Sequence, residues 1–173
     1  MKEKGLLELE DKTSKNYALN PSSGEWFKGI EIVMAENGMG HYFGTIPRTP
    51  DIFSGMGSKE NRLNYITVRL GFLKSVFSLL GIEHIELYRG MATESDWKSF
   101  DPKLFSSWTF SKEVAESFSS IDDEKRFKNL YFLKRSKPVN RLFMTYLETD
   151  AMNGQYLESE AVVLLQENDR RLF

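Results

Sequence analysis

The spacing of hydrophobic positions predicts two helices in the middle of the chain. Between residues 60 and 80, apolar residues recur every three or four positions and so share one face of a helix, and Gly81 stands where such a helix would end. A shorter helix is predicted after Ser111, a residue suited to the N-cap position, because apolar residues at helical spacing follow it. We expect both helices to pack on a core.

Alternating apolar and polar positions predict strands in the remainder of the chain. Residues 82–90 alternate as a strand does, and Arg89 and Gly90 are expected to end it. Asn153-Gly154, a strong turn signal, lies between the last two apolar runs. Since helices come first and mostly antiparallel strands later, the order indicates an α+β domain. The later strands are expected at 129–134, 139–147 and 157–165.

The first third of the chain lacks these patterns. Seven glycines and two prolines lie between residues 24 and 57, a density that breaks helices and favours turns. At 173 residues the chain has the usual length of one domain. We therefore expect a single domain over residues 1–173, with a loop-rich N-terminal part at 1–58 and the core at 59–173.

The composition excludes several kinds of site. There is no cysteine, which rules out a disulfide framework, a thiolate–zinc site, an iron–sulfur cluster and a cysteine nucleophile. Only two histidines are present, which rules out a three-histidine metal site, and we expect no metal. The net charge of −2 argues against a nucleic-acid partner held by bulk charge, although a local basic patch stays open.

The sequence also bears on location. No stretch approaches the roughly 18 apolar residues that would span a bilayer, so we expect no membrane partner. The N-terminus lacks the apolar run of a cleaved signal peptide, so we expect synthesis in the cytoplasm. Delivery into a host cell by a route without a cleaved signal remains open.

Two short motifs carry candidate chemistry, each beside a simpler alternative. In the first, Tyr88-Arg89-Gly90, an arginine ends a predicted strand, where its planar guanidinium could donate to a phosphate or ribose oxygen. The alternative is an arginine in a surface ion pair. In the second, at 106–118, the hydroxyl of Ser107 could donate to a ligand and hold a neighbouring carboxylate. The alternative is a helix start with polar caps.

Glu158-Ser159-Glu160 is the third and most informative motif. In a strand, residues i and i+2 point to the same face about 6.6–6.8 Å apart, so the two carboxylates would project side by side. A solvated outer strand would tolerate that, but the apolar residues that follow belong in a core and favour a cleft. One carboxylate could then stabilise positive charge on a sugar ring while the other accepts a proton from a nucleophile.

In this order, the three motifs resemble the Arg–Ser–Glu class of mono-ADP-ribosyltransferases. The resemblance covers residues 82–165, and the Ser-Thr-Ser of the family is written Ser107-Trp108-Thr109 here. It implies an ADP-ribosyltransferase-type fold, in which two small, mostly antiparallel sheets pack in a split core with flanking helices. Residues 59–173 would form the catalytic core, and the setting would be a bacterial toxin or effector, or a phage enzyme.

The resemblance also implies a role for each motif residue. Arg89 would bind the phosphates or the nicotinamide-side ribose of NAD, and the backbone at Gly90 would hold the carboxamide. Ser107 would orient Glu160, which would bind the ribose 2′-hydroxyl and stabilise the oxocarbenium-like transition state. Glu158 would engage the acceptor, expected to be a protein arginine. Further contacts are expected from Thr109, Phe118 and Phe127 for NAD and from Tyr156 for the acceptor.

The implied function is transfer of ADP-ribose from NAD, a co-substrate, to an acceptor macromolecule. A host protein is the favoured acceptor, and we expect a monomer that needs no metal and no covalent nucleophile. Three alternatives stay open: a two-carboxylate glycosidase, an NAD-binding module without turnover, and ADP-ribosylation of RNA or of another side chain. The glycosidase is disfavoured because its carboxylates flank a bond from opposite sides.

Overall fold

The computed structural model describes residues 1–19, 24–94, 104–120, 127, 129–153 and 157–165. Its α-helices are α1 Leu7–Leu19, α2 Glu25–Glu36, α3 Lys59–Leu79 and α4 Lys112–Ser119. Its strands are β1 His84–Thr93, β2 Phe105–Thr109, β3 Asn129–Pro138, β4 Leu142–Thr145 and β5 Glu160–Leu164. Short 3₁₀ helices lie at Lys2–Lys4, Pro50–Phe53, Gly55–Gly57, Val139–Arg141 and Asp150–Asn153.

Both predicted helices are confirmed, and each has a serine cap. The Ser58 side chain accepts a hydrogen bond from the backbone N–H of Asn61 at the start of α3. Ser111 does the same for Val114 at the start of α4, with an N···O distance of 3.2 Å. Just beyond α3, Gly81 takes a left-handed φ of 69°, which a glycine adopts without strain. The predicted limits of α3 therefore agree with the structure to within one residue, and α4 begins directly after Ser111 as predicted.

The prediction that residues 1–58 are loop-rich is wrong for much of that segment, since α1 and α2 lie in it. Gly29 was taken for a helix breaker, yet it lies in α2. A Cβ at this position would lie 2.8 Å from Cζ of Arg62, so glycine is needed for close packing. The buried hydrophobic residues of α2 recur at helical spacing and are Trp26, Phe27, Ile30, Val33 and Met34.

Arg62 fastens the loop before α3 to α2. Its side chain is fully buried, and its guanidinium donates to the backbone carbonyls of Gly57, Trp26 and Ile52 at 2.8–2.9 Å. The same guanidinium lies 3.9 Å from the centre of the Trp26 ring. Burial lowers the pKa of Arg62 to about 10. Three carbonyl acceptors and an aromatic face thus compensate a buried cation.

The strands form one antiparallel sheet in the order β3-β1-β2-β5-β4. The expected α+β class and antiparallel pairing are confirmed, but the expectation of two sheets is wrong. β1 and β3 pair along ten residues, whereas β1 and β2 pair only at Tyr88 and Thr109. This single pair joins two ladders into one sheet.

The strand boundaries also differ from the prediction. β1 continues past Arg89 and Gly90 to Thr93, because β3 pairs with its whole length. β2 was not predicted as a strand. The range expected as a strand at 139–147 begins with a 3₁₀ helix and contains only the four residues of β4.

Two hydrophobic clusters lie on opposite faces of the sheet. Phe105 and Val162 belong to the cluster formed with α1 and α2, whereas Trp108, Ala161 and Val163 belong to the other. Neighbouring residues of a strand point to opposite faces, so the alternation of 161, 162 and 163 separates the clusters. α3 reaches both clusters along its length and thereby ties the two halves of the core together.

Candidate functional site

A pocket of about 160 Å³ opens beside the single pair that joins β1 to β2. Residues of β1, β2 and α4 line it, together with Glu158, which precedes β5, and Glu160, the first residue of β5. The lining residues are Tyr88, Arg89, Gly90, Met91, Ser107, Trp108, Thr109, Val114, Phe118, Glu158 and Glu160. Residues of all three sequence motifs therefore meet in one place.

Glu160 is the first residue of β5 and lies opposite Thr109 of β2. Its carboxylate oxygen Oε1 accepts a hydrogen bond from the Ser107 hydroxyl at 2.5 Å. The same oxygen accepts a second hydrogen bond from the hydroxyl of Tyr17 at 2.7 Å. Hydrogen bonds to a carboxylate are roughly twice as strong as neutral ones, so the two donors fix the carboxylate firmly.

Glu158 lies just before β5 and is not part of the strand, so the expected side-by-side projection of a strand pair is wrong. Between the two glutamates, Ser159 takes a φ of 47°, in the left-handed region that non-glycine residues rarely adopt. The Thr109 hydroxyl donates to the backbone carbonyl of Glu158 at 2.6 Å and holds this turn. Glu158 nevertheless lines the pocket together with Glu160.

The two carboxylates have different surroundings. Burial raises the pKa of Glu158 above its ordinary value, and the negative charge of Glu160 raises it further. Glu158 therefore binds a proton more readily than an ordinary glutamate does, while Glu160 has two hydroxyl donors directed at one of its oxygens. Paired carboxylates in unlike environments are suited to separate chemical tasks.

Arg89 approaches the pocket from β1. Its guanidinium donates to the hydroxyl of Ser106, the residue before Ser107 on β2. Burial lowers the pKa of Arg89. Since an arginine pKa starts above 12, the side chain stays cationic at neutral pH. A cation and two carboxylates therefore line one small pocket.

Gly90 permits close packing between β1 and α4. A Cβ here would lie 1.7 Å from the backbone oxygen of Ala115 and 2.9 Å from the backbone nitrogen of Ser119. Both contacts are with backbone atoms, which cannot move aside as a flexible side chain would. Glycine at this position thus lets α4 form a wall of the pocket, with its Phe118 among the lining residues.

Of the four other predicted site residues, two line the pocket, one is not among its lining residues and one lies outside the described residues. Thr109 is buried at the edge of the pocket, where its hydroxyl binds the Glu158 carbonyl and accepts from the backbone N–H of Ser111. Phe118 lines the pocket and is 40% exposed, whereas Phe127, half-buried, is not among the lining residues given above. Tyr156, the predicted acceptor contact, lies outside the described residues.

Tyr17 is the site residue that the sequence did not reveal. It lies on α1, 143 positions before Glu160, in a segment predicted to be loop. No motif surrounds it, and tyrosines are common in cores. Burial and the charge of Glu160 raise the pKa of Tyr17 well above its ordinary value, so its hydroxyl keeps its proton.

Comparisons with protein-family models, with curated proteins and with solved structures find no match to this chain. Among the residues that the structure describes, no three histidine, aspartate or glutamate side chains come together as a metal-binding group. Within the same ranges, no helix combines the length and the apolar character needed to cross a bilayer.

Proposed function

We propose that this protein is an NAD-dependent mono-ADP-ribosyltransferase. The observation that carries the proposal is the meeting of Arg89, Ser107, Glu158 and Glu160 in one pocket, with Ser107 hydrogen-bonded to Glu160. These residues come from three motifs that the sequence separates widely. Their convergence is what an Arg–Ser–Glu transferase requires, and the likeness of the sequence motifs supports the same activity.

The first part of the mechanism is cleavage of the bond between ribose and nicotinamide. Nicotinamide leaves as a neutral molecule, so positive charge develops on the ribose ring. Glu160 accepts a hydrogen bond from the ribose 2′-hydroxyl and places its negative charge beside that ring. Because Ser107 and Tyr17 already hold the carboxylate, no reorganisation is needed as the charge develops.

Arg89 and Gly90 bind the rest of the substrate in this proposal. The Arg89 guanidinium is a planar donor suited to phosphate or ribose oxygens, and the Gly90 backbone binds the carboxamide of nicotinamide. In this proposal the nicotinamide end of NAD lies in the pocket beside Glu160, and the remainder of NAD lies along the surface that leads from it.

The second part is transfer to the acceptor, and it assigns Glu158. A protein arginine is protonated at neutral pH and becomes a nucleophile only when a base takes its proton. Glu158 lines the same pocket as Glu160 and lies two residues away, which supports its assignment as that base. The proton passes to the Glu158 carboxylate as the guanidinium nitrogen bonds to C1 of the ribose.

The experiment that tests the function is transfer of labelled ADP-ribose. The purified protein is incubated with adenylate-labelled NAD and a cell lysate, beside the matched variant Glu160→Gln. We expect label in macromolecules only with the wild-type chain, and mass spectrometry should locate it on arginine. Label that ribonuclease removes and protease spares would move the acceptor to RNA. Binding of NAD without label or nicotinamide release would reduce the protein to a binding module.

A further inference from the structure

Tyr17 couples the N-terminal helix to the carboxylate at the centre of the pocket. Its hydroxyl lies 2.7 Å from Oε1 of Glu160, the oxygen to which Ser107 also donates. The Tyr17 side chain is only 3% exposed, so the donor of this bond is buried. The two donors come from β2 and α1, elements far apart in the sequence, and they converge on a single atom.

α1 is anchored so that this hydroxyl is held in place. Glu10 of α1 forms an ion pair with the buried Arg69 of α3 at 2.9 Å. Thr13 accepts a hydrogen bond from the indole N–H of Trp26 at 2.9 Å. Positions 10, 13 and 17 lie three and seven residues apart and therefore share one face of the helix. Each turn of this face thus has a polar contact to another element.

Ring packing does not by itself account for the hydroxyl of Tyr17. The ring packs against Phe27 with 4.9 Å between centroids, and a phenylalanine could make that contact as well. A buried hydroxyl costs free energy unless it finds a partner, and here the partner is a carboxylate of the pocket. Both donors bind Oε1, and the described part of the chain gives the second oxygen, Oε2, no hydrogen bond. Oε2 is therefore available to a ligand.

We propose that Tyr17 is a positioning residue for Glu160. It holds Oε1 together with Ser107, so that Oε2 is directed to the ribose 2′-hydroxyl during cleavage. This inference rests on the proposed function, because it assumes that Glu160 acts on NAD. It extends the catalytic machinery beyond the three motifs to the N-terminal helix, so that α1 contributes to activity as well as to the fold.

The kinetic test compares Tyr17→Phe with the control Tyr65→Phe. Tyr65 is also buried, but its hydroxyl makes no hydrogen bond to Glu160, so the control removes a buried hydroxyl and leaves the contacts of Glu160 in place. For Tyr17→Phe we expect kcat of nicotinamide release to fall about tenfold or more, equal to about 1.4 kcal/mol, while the Kd for NAD changes less than about threefold. A kcat equal to that of the control would overturn the proposal.

A second test does not depend on activity. Unfolding by urea is measured for Tyr17→Phe in the wild-type chain and in a Glu160→Ala chain. If the hydroxyl bonds Glu160, its removal should destabilise the first chain but not the second, where it has lost its partner. Equal losses in both chains would show a packing role only. A wild-type chain that releases no nicotinamide would instead refute the proposed function, and the inference with it.

Discussion

At the scale of single residues, Glu158 and Glu160 have different surroundings in the pocket, although they are only two positions apart in the sequence. The carboxylate of Glu160 accepts hydrogen bonds from hydroxyl groups. Glu158 instead precedes Ser159, which has a left-handed backbone conformation, and the Thr109 hydroxyl binds the backbone carbonyl of Glu158. The raised pKa of Glu158 has burial as its main cause. We interpret this difference as the basis for two tasks, charge stabilisation by Glu160 and proton acceptance by Glu158.

Replacing Glu158 by alanine should separate transfer from cleavage. Without the base, transfer to the acceptor should fall by about 100-fold or more, while nicotinamide release in water falls by less than about tenfold. The measurement is label on protein beside nicotinamide in solution, for the same enzyme sample. Glu160→Ala serves as the comparison, since it should remove both activities. If the two variants lose both activities equally, the assignment of separate tasks is wrong.

The raised pKa of Glu158 also predicts a pH-dependent effect on stability. The folded state binds a proton at Glu158 more tightly than the unfolded chain does, so this group costs stability as the pH rises through its folded pKa. Glu158→Gln should therefore raise the unfolding temperature near pH ~7.5 and leave it unchanged near pH ~4. The exposed Glu83, changed to Gln, is the control. A variant less stable than wild type at neutral pH would contradict the burial and repulsion inferred here.

At the scale of elements, the N-terminal helices are held by contacts that leave little sequence pattern. The polar residues Thr13 and Ser14 and the aromatic Tyr17 are all buried in α1, so its inner face does not read as an apolar stripe. α2 does have the stripe, but Gly29 interrupts it and suggests a turn. In contrast, α3 was predictable because apolar residues recur along its whole length.

Two helical glycines should respond in opposite ways to alanine. Gly29→Ala should destabilise the fold by about 1–3 kcal/mol, because its methyl group would press on the buried Arg62. Gly71→Ala in α3 should stabilise it by about 0.5–1 kcal/mol, since nothing lies within 4 Å of a Cβ there and alanine favours helix. Urea unfolding of both variants measures the difference. Stabilisation by Gly29→Ala would show that α2 and α3 are not packed as described.

The candidate site could be predicted only where short motifs carry it. Arg89, Ser107 and Glu160 were identifiable because each lies in a recognisable local pattern, and all three line the pocket. The turn at Ser159 was not, since nothing in the sequence marks a serine for positive φ. Tyr17 was not identifiable either, because its role depends on a tertiary contact made across 143 positions.

At the scale of the whole molecule, the pocket results from how two ladders are joined. β1 and β3 pair over ten residues, β2, β5 and β4 form the other ladder, and one residue pair connects them. The expectation of two sheets came from the resemblance, because single-residue patterns predict strands but not how many residue pairs join two strands. Because the joint is narrow, the walls on either side of it can hold a ligand between them.

Binding of NAD should stabilise the whole molecule by mass action. A ligand at 100 times its Kd stabilises the fold by about 2.7 kcal/mol, which should raise the unfolding temperature by several degrees. Arg89→Ala should lose most of this rise, measured against its own midpoint without NAD. The exposed Arg48, changed to alanine, should keep it. A rise of equal size in all three proteins would place the binding site away from Arg89.

The most direct measurement is the rate of nicotinamide release from NAD by the purified chain and by Glu160→Gln. Glutamine keeps the size of the side chain and removes the negative charge, so the comparison isolates electrostatic stabilisation of the ribose cation. We predict release by the wild-type chain and a rate at least about 100-fold lower for the variant. Equal rates for the two proteins, or a wild-type chain that binds NAD and leaves it intact, would contradict the proposed chemistry.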